Sequence, residues 1–167
     1  MTTLTSTIPG ALSALETHMQ NVASAHPLLN ISVHVGIPIA EVENNYLAIG
    51  TYETGELVLD YEQDWAGFPA AAERKSERYK IPCTVRAWAG NTDPISRITD
   101  LFTMLDGILA ELQADPQATV NGGYPLTPSG SWQISRVDIP VSGPLNNKGW
   151  GIVASFEVDV INVRLTF

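Results

Sequence analysis

The chain has 167 residues, 44% of them hydrophobic, with a mean hydropathy of +0.04 and a net charge of −9. A chain of this size and polarity buries a core without disulfides, which excludes wholesale disorder and fits one domain over 1–167. Its acidity argues against a protein that grips nucleic acid, which needs a net basic stripe to displace counterions.

The charge is unevenly spread. Residues 1–73 hold nine acids and no Lys or Arg, and five of the nine bases fall between Arg74 and Arg86. Such asymmetry marks either a partner surface or a merely soluble acidic face. Cys83 is the one cysteine, so no internal bridge forms and nothing argues for an oxidising compartment. The start lacks a basic, then apolar, leader pattern. No run approaches the roughly 18 apolar residues of a membrane span. The expectation is a soluble protein made inside the cell.

Met1 to Thr7 is small and Thr-rich and is expected to fray. A helix is predicted from Ile8 to Ala25, capped by Thr7 or Ile8, with Pro9 set for the first turn. Leu12, Leu15, Met19 and Val22 give it one apolar face, with His18 beside it. His26-Pro27 ends the helix, because the residue before proline is pushed out of the α region. Ile31 to Ile37 alternates as a half-buried strand, and Pro38 places it at an edge or ends it. Tyr46 to Tyr52 and Glu56 to Tyr61 read as two further strands joined at Thr54-Gly55 in a hairpin. A long loop is expected over 62–76. Its Trp65 and Phe68 either anchor it to the core or contact another subunit.

The strongest periodicity follows. Tyr79 to Ala89 alternates, with Ile81, Cys83, Val85 and Ala87 on one face and Pro82, Thr84, Arg86 and Trp88 on the other. Pro82 cannot donate to a ladder, so a bulge or an unpaired position is expected there. Asp93 caps a helix from Pro94 to Ala114. Ile95, Ile98, Phe102, Leu105, Leu109 and Leu112 form its stripe, widened by Leu101, Met104 and Ile108. So wide a stripe implies cover on two sides, the second from the first helix or from a neighbouring subunit. Gly107 inside it points to close packing. Asp115-Pro116 stops the helix, and a loop rich in Gly and Pro follows.

Two strands close the chain. In Ser131 to Pro140 the parity changes between Ile134 and Val137, which a bulge explains. Trp150 to Val160 alternates, with Val153 apolar on the outward side. The parity shifts again before Val163, Leu165 and Phe167. A strand this long is expected to reach beyond its own sheet. Trp132 and Trp150 are expected to face each other across the terminal hairpin. The element order gives an α+β fold, a mostly antiparallel sheet with two helices packed on one face.

No motif carries chemistry. His18, His26 and His34 stand eight residues apart, not at metal-ligand spacing. Gly122-Gly123 lacks the Lys-Ser of a phosphate loop, and no nucleophile elbow occurs. Cys83 on an apolar strand lacks the electropositive exposure of a reactive thiol. No catalytic, cofactor-binding or metal residues are assigned, and no enzyme activity is expected.

One resemblance supplies a function. Trp65-Ala66-Gly67, the charged run Glu73 to Arg78, the strand Tyr79 to Ala89, the long helix to Leu112, Asp115-Pro116, Gly122-Gly123 and the ending FEVDVINVRLTF resemble small tail-assembly proteins of long-tailed bacteriophages, most of all their tail terminators. The match runs from about Asp64 onward, with the helix-then-strands order before it, and no single motif is diagnostic. The resemblance implies a virion protein of the tail or neck, a homohexameric ring without cofactor or membrane. That ring ends tube polymerisation and joins the tail tube protein to the head-tail connector, and DNA passes through its lumen without specific binding. Head-to-tail closure needs two different complementary patches. The acidic first half and the basic 74–86 segment would supply them, with Trp65, Phe68, Arg74, Lys75 and Arg78 as candidate subunit-interface residues. The alternatives are another neck or tail-tube component, and a small-molecule or peptide-binding module with the aromatic loop as its lid.

Overall fold

The computed structural model describes residues 8–36, 45–51, 60–66, 74–89, 93–115, 132–138 and 150–165. The elements are α1 (Ile8–Ala25), a 3-10 turn (Pro27–Leu29), β1 (Ile31–Val35), β2 (Asn45–Ile49), β3 (Asp60–Ala66), β4 (Arg74–Ala89), α2 (Pro94–Ala114), β5 (Trp132–Asp138) and β6 (Trp150–Leu165). They form one α+β domain. Its single sheet runs β1-β2-β4-β6-β5, with β3 added on β4. All its pairings are antiparallel except β1 with β2.

The spine is β4 against β6, each of 16 residues, paired from Ala89↔Trp150 to Lys75↔Leu165. β6 is thus long without leaving its sheet, because β4 matches it throughout. The other edge of β4 is shared end to end. β2 takes Cys83 to Arg86 and β3 takes Arg74 to Lys80. Pro82 falls in the gap between them, while staying in register with Glu157 on β6. Its carbonyl accepts from the N–H of Gly50 at 2.7 Å and of Thr51 at 3.2 Å, where β2 has ended. In an antiparallel pair a residue's N–H and C=O point to the same side, so the donor that proline lacks faces this gap. The unpaired position expected from the sequence is there.

The expected bulge in β5 is present, and a second register shift falls where the parity of β6 changes. The β5–β6 register shifts between Ile134 and Val137, and the β4–β6 register shifts opposite Asn162 to Leu165. In each case the apolar side chains change parity because one strand carries an extra residue.

Both helices cover one sheet face. Leu47, Ile49, Ile81, Cys83, Val85, Ala87, Ile152, Ala154, Phe156, Val158 and Val160 form that face, all buried. From α1 come Ala11, Leu15, Met19 and Val22, and from α2 Leu101, Met104, Leu105, Ile108 and Leu112. The Asp93 side chain accepts from the Ile95 N–H at 3.1 Å, which caps α2 as expected. At Gly107 an added Cβ would lie 2.9 Å from Val22 Cγ1, so glycine allows α1 to seat against α2.

Three expectations are corrected. β3 does not form a hairpin with β2. It starts at Asp60 and pairs with β4, while β2 lies between β1 and β4. Both edges of β2 are taken, by β1 and β4, and the register of β3 sets Asp60 opposite Lys80 and Glu62 opposite Arg78. The expected loop over 62–76 is mostly strand, since β3 runs to Ala66 and β4 begins at Arg74. Trp132 and Trp150 are not cross-strand partners. Trp132 stands opposite Val160 and Trp150 opposite Ala89, because β5 is offset toward the far end of β6.

Candidate functional site

Among the described residues, His18 and Cys83 are taken up by the fold. His18 sits between the helices, Nδ1 3.3 Å from Glu111 Oε2 and Nε2 3.6 Å from Asp115 Oδ2. Asn21 donates to the same Glu111 oxygen at 3.0 Å. That hydrogen bond first, and His18 after it, hold the Glu111 carboxyl below its ordinary value against the opposing effect of burial. These four side chains latch α1 to the end of α2. Cys83 is fully buried, and burial pushes its thiol far up, the opposite of what a nucleophile needs. No group of His, Cys, Asp and Glu among the described residues would hold a metal ion. No helix among them is long and apolar enough to cross a membrane.

The candidate interface residues fall largely on one hairpin. In the β3–β4 register Trp65 stands opposite Lys75, Ala66 opposite Arg74, and Glu62 opposite Arg78. Phe68 lies outside the described residues. The acidic, aromatic segment and the basic segment are therefore paired within the chain, as strands.

A second surface lies on α2, where the wide apolar stripe splits into two. Leu101, Met104, Leu105, Ile108 and Leu112 are buried, whereas Ile95 is 72% exposed and Ile98, Phe102 and Leu109 are each just over 40% exposed. At 100° per residue these four fall within about 60° of one another, on the flank away from Gly107 and α1. The sheet and α1 cover two sides of the helix, and this third, apolar side faces outward. Scattered exposed apolar residues are ordinary, but four aligned on one helix flank form a contiguous patch of the kind that marks an interaction site. The signal was in the sequence as stripe width. Which half of the stripe would meet the sheet was not.

The sheet face away from the helices holds a third feature. Arg86 lies near two aromatic rings, its guanidinium carbon 5.1 Å from the Trp88 centroid and 5.8 Å from that of Tyr46. Trp88 is fixed by its backbone. Its N–H donates to Asn45 Oδ1 at 2.6 Å, and its carbonyl accepts from Arg97 Nη1 at 3.1 Å.

No protein-family model and no curated protein matches the chain. Among solved structures it is similar to a chain of the "Virion of native gene transfer agent (GTA) particle", with 13% sequence identity over 90% of this chain and 93% of that one, at a TM-score of 0.41. At that identity and score the likeness carries no argument about function.

Proposed function

We propose that this chain is a structural virion protein that assembles with copies of itself into a ring at the end of a phage tail tube, where it ends polymerisation and joins tail to head. The observation that carries the reading is the outward apolar flank of α2. Ile95, Ile98, Phe102 and Leu109 are left in water by a fold that buries the rest of the same stripe. Full burial of such a side chain from water is worth about 1.5–3 kcal/mol; Ile95 has most of that still to gain and the other three somewhat under half, a reason for another molecule to cover them. The resemblance to tail terminators names the molecule as a neighbouring copy, and the α+β fold with two helices on one sheet face is the one that resemblance implies. Head-to-tail contacts need a second, different patch, and the β3–β4 hairpin with Trp65, Arg74, Lys75 and Arg78 is assigned that part. No catalytic step, metal or cofactor belongs to this role.

Negative-stain electron microscopy of the concentrated protein, with light scattering on the same sample, tests the reading. Sixfold rings with a central hole are expected, either in solution or on isolated tail tubes. A strict monomer or dimer that also fails to bind tube ends would overturn it.

A further inference from the structure

We infer that Asp106 of one copy pairs with Lys75 of the next, where the outward flank of α2 meets the Ala66–Arg74 end of the β3–β4 pair; the inference rests on the ring reading above. Asp106 is exposed, four residues after Phe102 and three before Leu109, so it stands on the rim of the apolar flank. The other acids of α2 and its two caps are all engaged. Asp93 caps the Ile95 N–H, Asp100 Oδ2 lies 2.7 Å from Arg97 Nη1, and Glu111 and Asp115 both face His18. Asp106 has no hydrogen bond or ion pair among the described residues. Its helical neighbours three and four residues away are Phe102, Thr103, Leu109 and Ala110, so α2 offers it no base.

The sheet sets out the complementary pattern. Trp65, Lys75 and Leu165 stand in one register row across β3, β4 and β6, a base between two apolar residues. Arg74 stands opposite Ala66 and Arg164 precedes Leu165, so three bases gather at this end of the sheet. Two bases nearer the helices are already matched, since Lys80 Nζ lies 3.1 Å from Glu157 Oε2 and Arg97 holds Asp100. An acid on an apolar flank and a base in an apolar row complement each other in charge and in hydrophobic surface, which selects a second copy as the occupant. An exposed charge pair adds little affinity alone. Here it sets the register of a contact that apolar burial drives.

The two residues cannot meet within one chain. Arg97 Nη1 bonds the Trp88 carbonyl, which ties the start of α2 to the end of β4. From Arg97, Asp106 is about 14 Å along the helix. From Trp88, Lys75 is about 43 Å along the strand. Even with α2 lying straight back along β4, a gap of roughly 30 Å separates them, far more than two side chains span. The partner of Asp106 must come from another copy.

The test is sedimentation velocity at low ionic strength over a concentration series, in solution and with isolated tail tubes, on the wild type, Asp106→Lys, Lys75→Glu and the double swap. Each single reversal is expected to raise the midpoint for assembly by at least about threefold, with unchanged far-ultraviolet circular dichroism. The double swap should return the midpoint to within about twofold of wild type, because it restores the pair with its signs exchanged. Single reversals that leave the midpoint unmoved overturn the pairing, and so does a double swap that assembles no better than the weaker single variant. Either result leaves the ring reading standing. If Lys75→Glu does not fold, Asp106→Asn, Lys75→Gln and their combination decide. The combination should lose no more than the larger single loss, and fully additive losses overturn the pairing. A wild type that stays monomeric and binds no tube ends overturns the ring reading and this inference with it.

Discussion

At the scale of single residues, the contact between α1 and α2 depends on one missing side chain and one lowered acid. Replacing glycine by alanine inside an exposed helix normally adds about 1 kcal/mol of stability. At Gly107 the new Cβ meets Val22 Cγ1 at 2.9 Å, and Val22 is β-branched, buried and unable to step aside cheaply. Gly107→Ala is therefore expected to destabilise the fold, by about 1–3 kcal/mol as overpacking does. Urea denaturation measures it, and Val22→Ala in the same chain should recover part of the loss. Glu111 gives a pH dependence. Its folded-state pKa lies below the ordinary 4.5, through the Asn21 hydrogen bond and then His18. A depressed carboxyl contributes stability that is full above the unfolded-state value and is lost as pH falls through the folded one. The gap in denaturation midpoint between wild type and Glu111→Gln should thus be widest near neutrality and close as pH drops below about 4. A gap that stayed constant with pH would remove Glu111 from the latch.

At the scale of elements, α2 sets two neighbours in sequence to opposite tasks. Leu101 is fully buried, and Phe102 is 44% exposed. Leu101→Ala is expected to cost about 2–5 kcal/mol of stability, the usual range for an emptied core leucine. Phe102→Glu should leave the isolated chain within about 0.5 kcal/mol of wild type, as surface changes do, and should weaken assembly. Denaturation and light scattering on the two variants separate the roles. The bounds of α2 were legible in the sequence because they are local: Asp93-Pro94 starts it and Asp115-Pro116 ends it. The β5 bulge was legible because a change of apolar parity at Ile134/Val137 has few other causes; past Val160 the parity shift was visible, and the pairing with β4 shows it to be a second bulge. The partner of β3 was not legible. Strand pairing is decided between distant segments, and the local hairpin that Thr54-Gly55 offered is ruled out because β1 and β4 take both edges of β2. For the candidate surface, the sequence showed that α2 is too apolar for one cover. It could not show that Ile95, Ile98, Phe102 and Leu109 are the uncovered part, since period fixes a stripe and only packing divides it. Tyr46 was out of reach as a neighbour of Arg86 and Trp88 for the same reason: those two share a face of one strand, but Tyr46 joins them only through the pairing of β2 with β4.

At the scale of the whole molecule, the pairing of β3 with β4 changes how a charge-driven ring must be tested. An acidic first half and a basic 74–86 segment look like two complementary surfaces on different subunits, yet Asp60 and Glu62 already stand opposite Lys80 and Arg78 within one chain. Part of the basic segment is spent on the chain's own fold, since Lys80 Nζ also lies 3.1 Å from Glu157 Oε2. Arg78→Glu would set two acidic residues opposite each other, which costs roughly 0.2–1 kcal/mol in a cross-strand pair, so any lost assembly would be confounded with a weakened hairpin. Arg74 and Lys75 stand opposite Ala66 and Trp65, where no acid is matched to them in the register. The double substitution Arg74→Glu and Lys75→Glu is thus expected to leave circular dichroism and thermal midpoint near wild type while reducing assembly. The reduction should be largest at low ionic strength and shrink near 1 M salt, where screening falls to about 3 Å. Light scattering at the two salt concentrations measures both effects. If the double variant assembled as well as the wild type at low salt, the charge asymmetry would belong to the fold and to solubility, and the apolar flank of α2 would have to hold the ring without it.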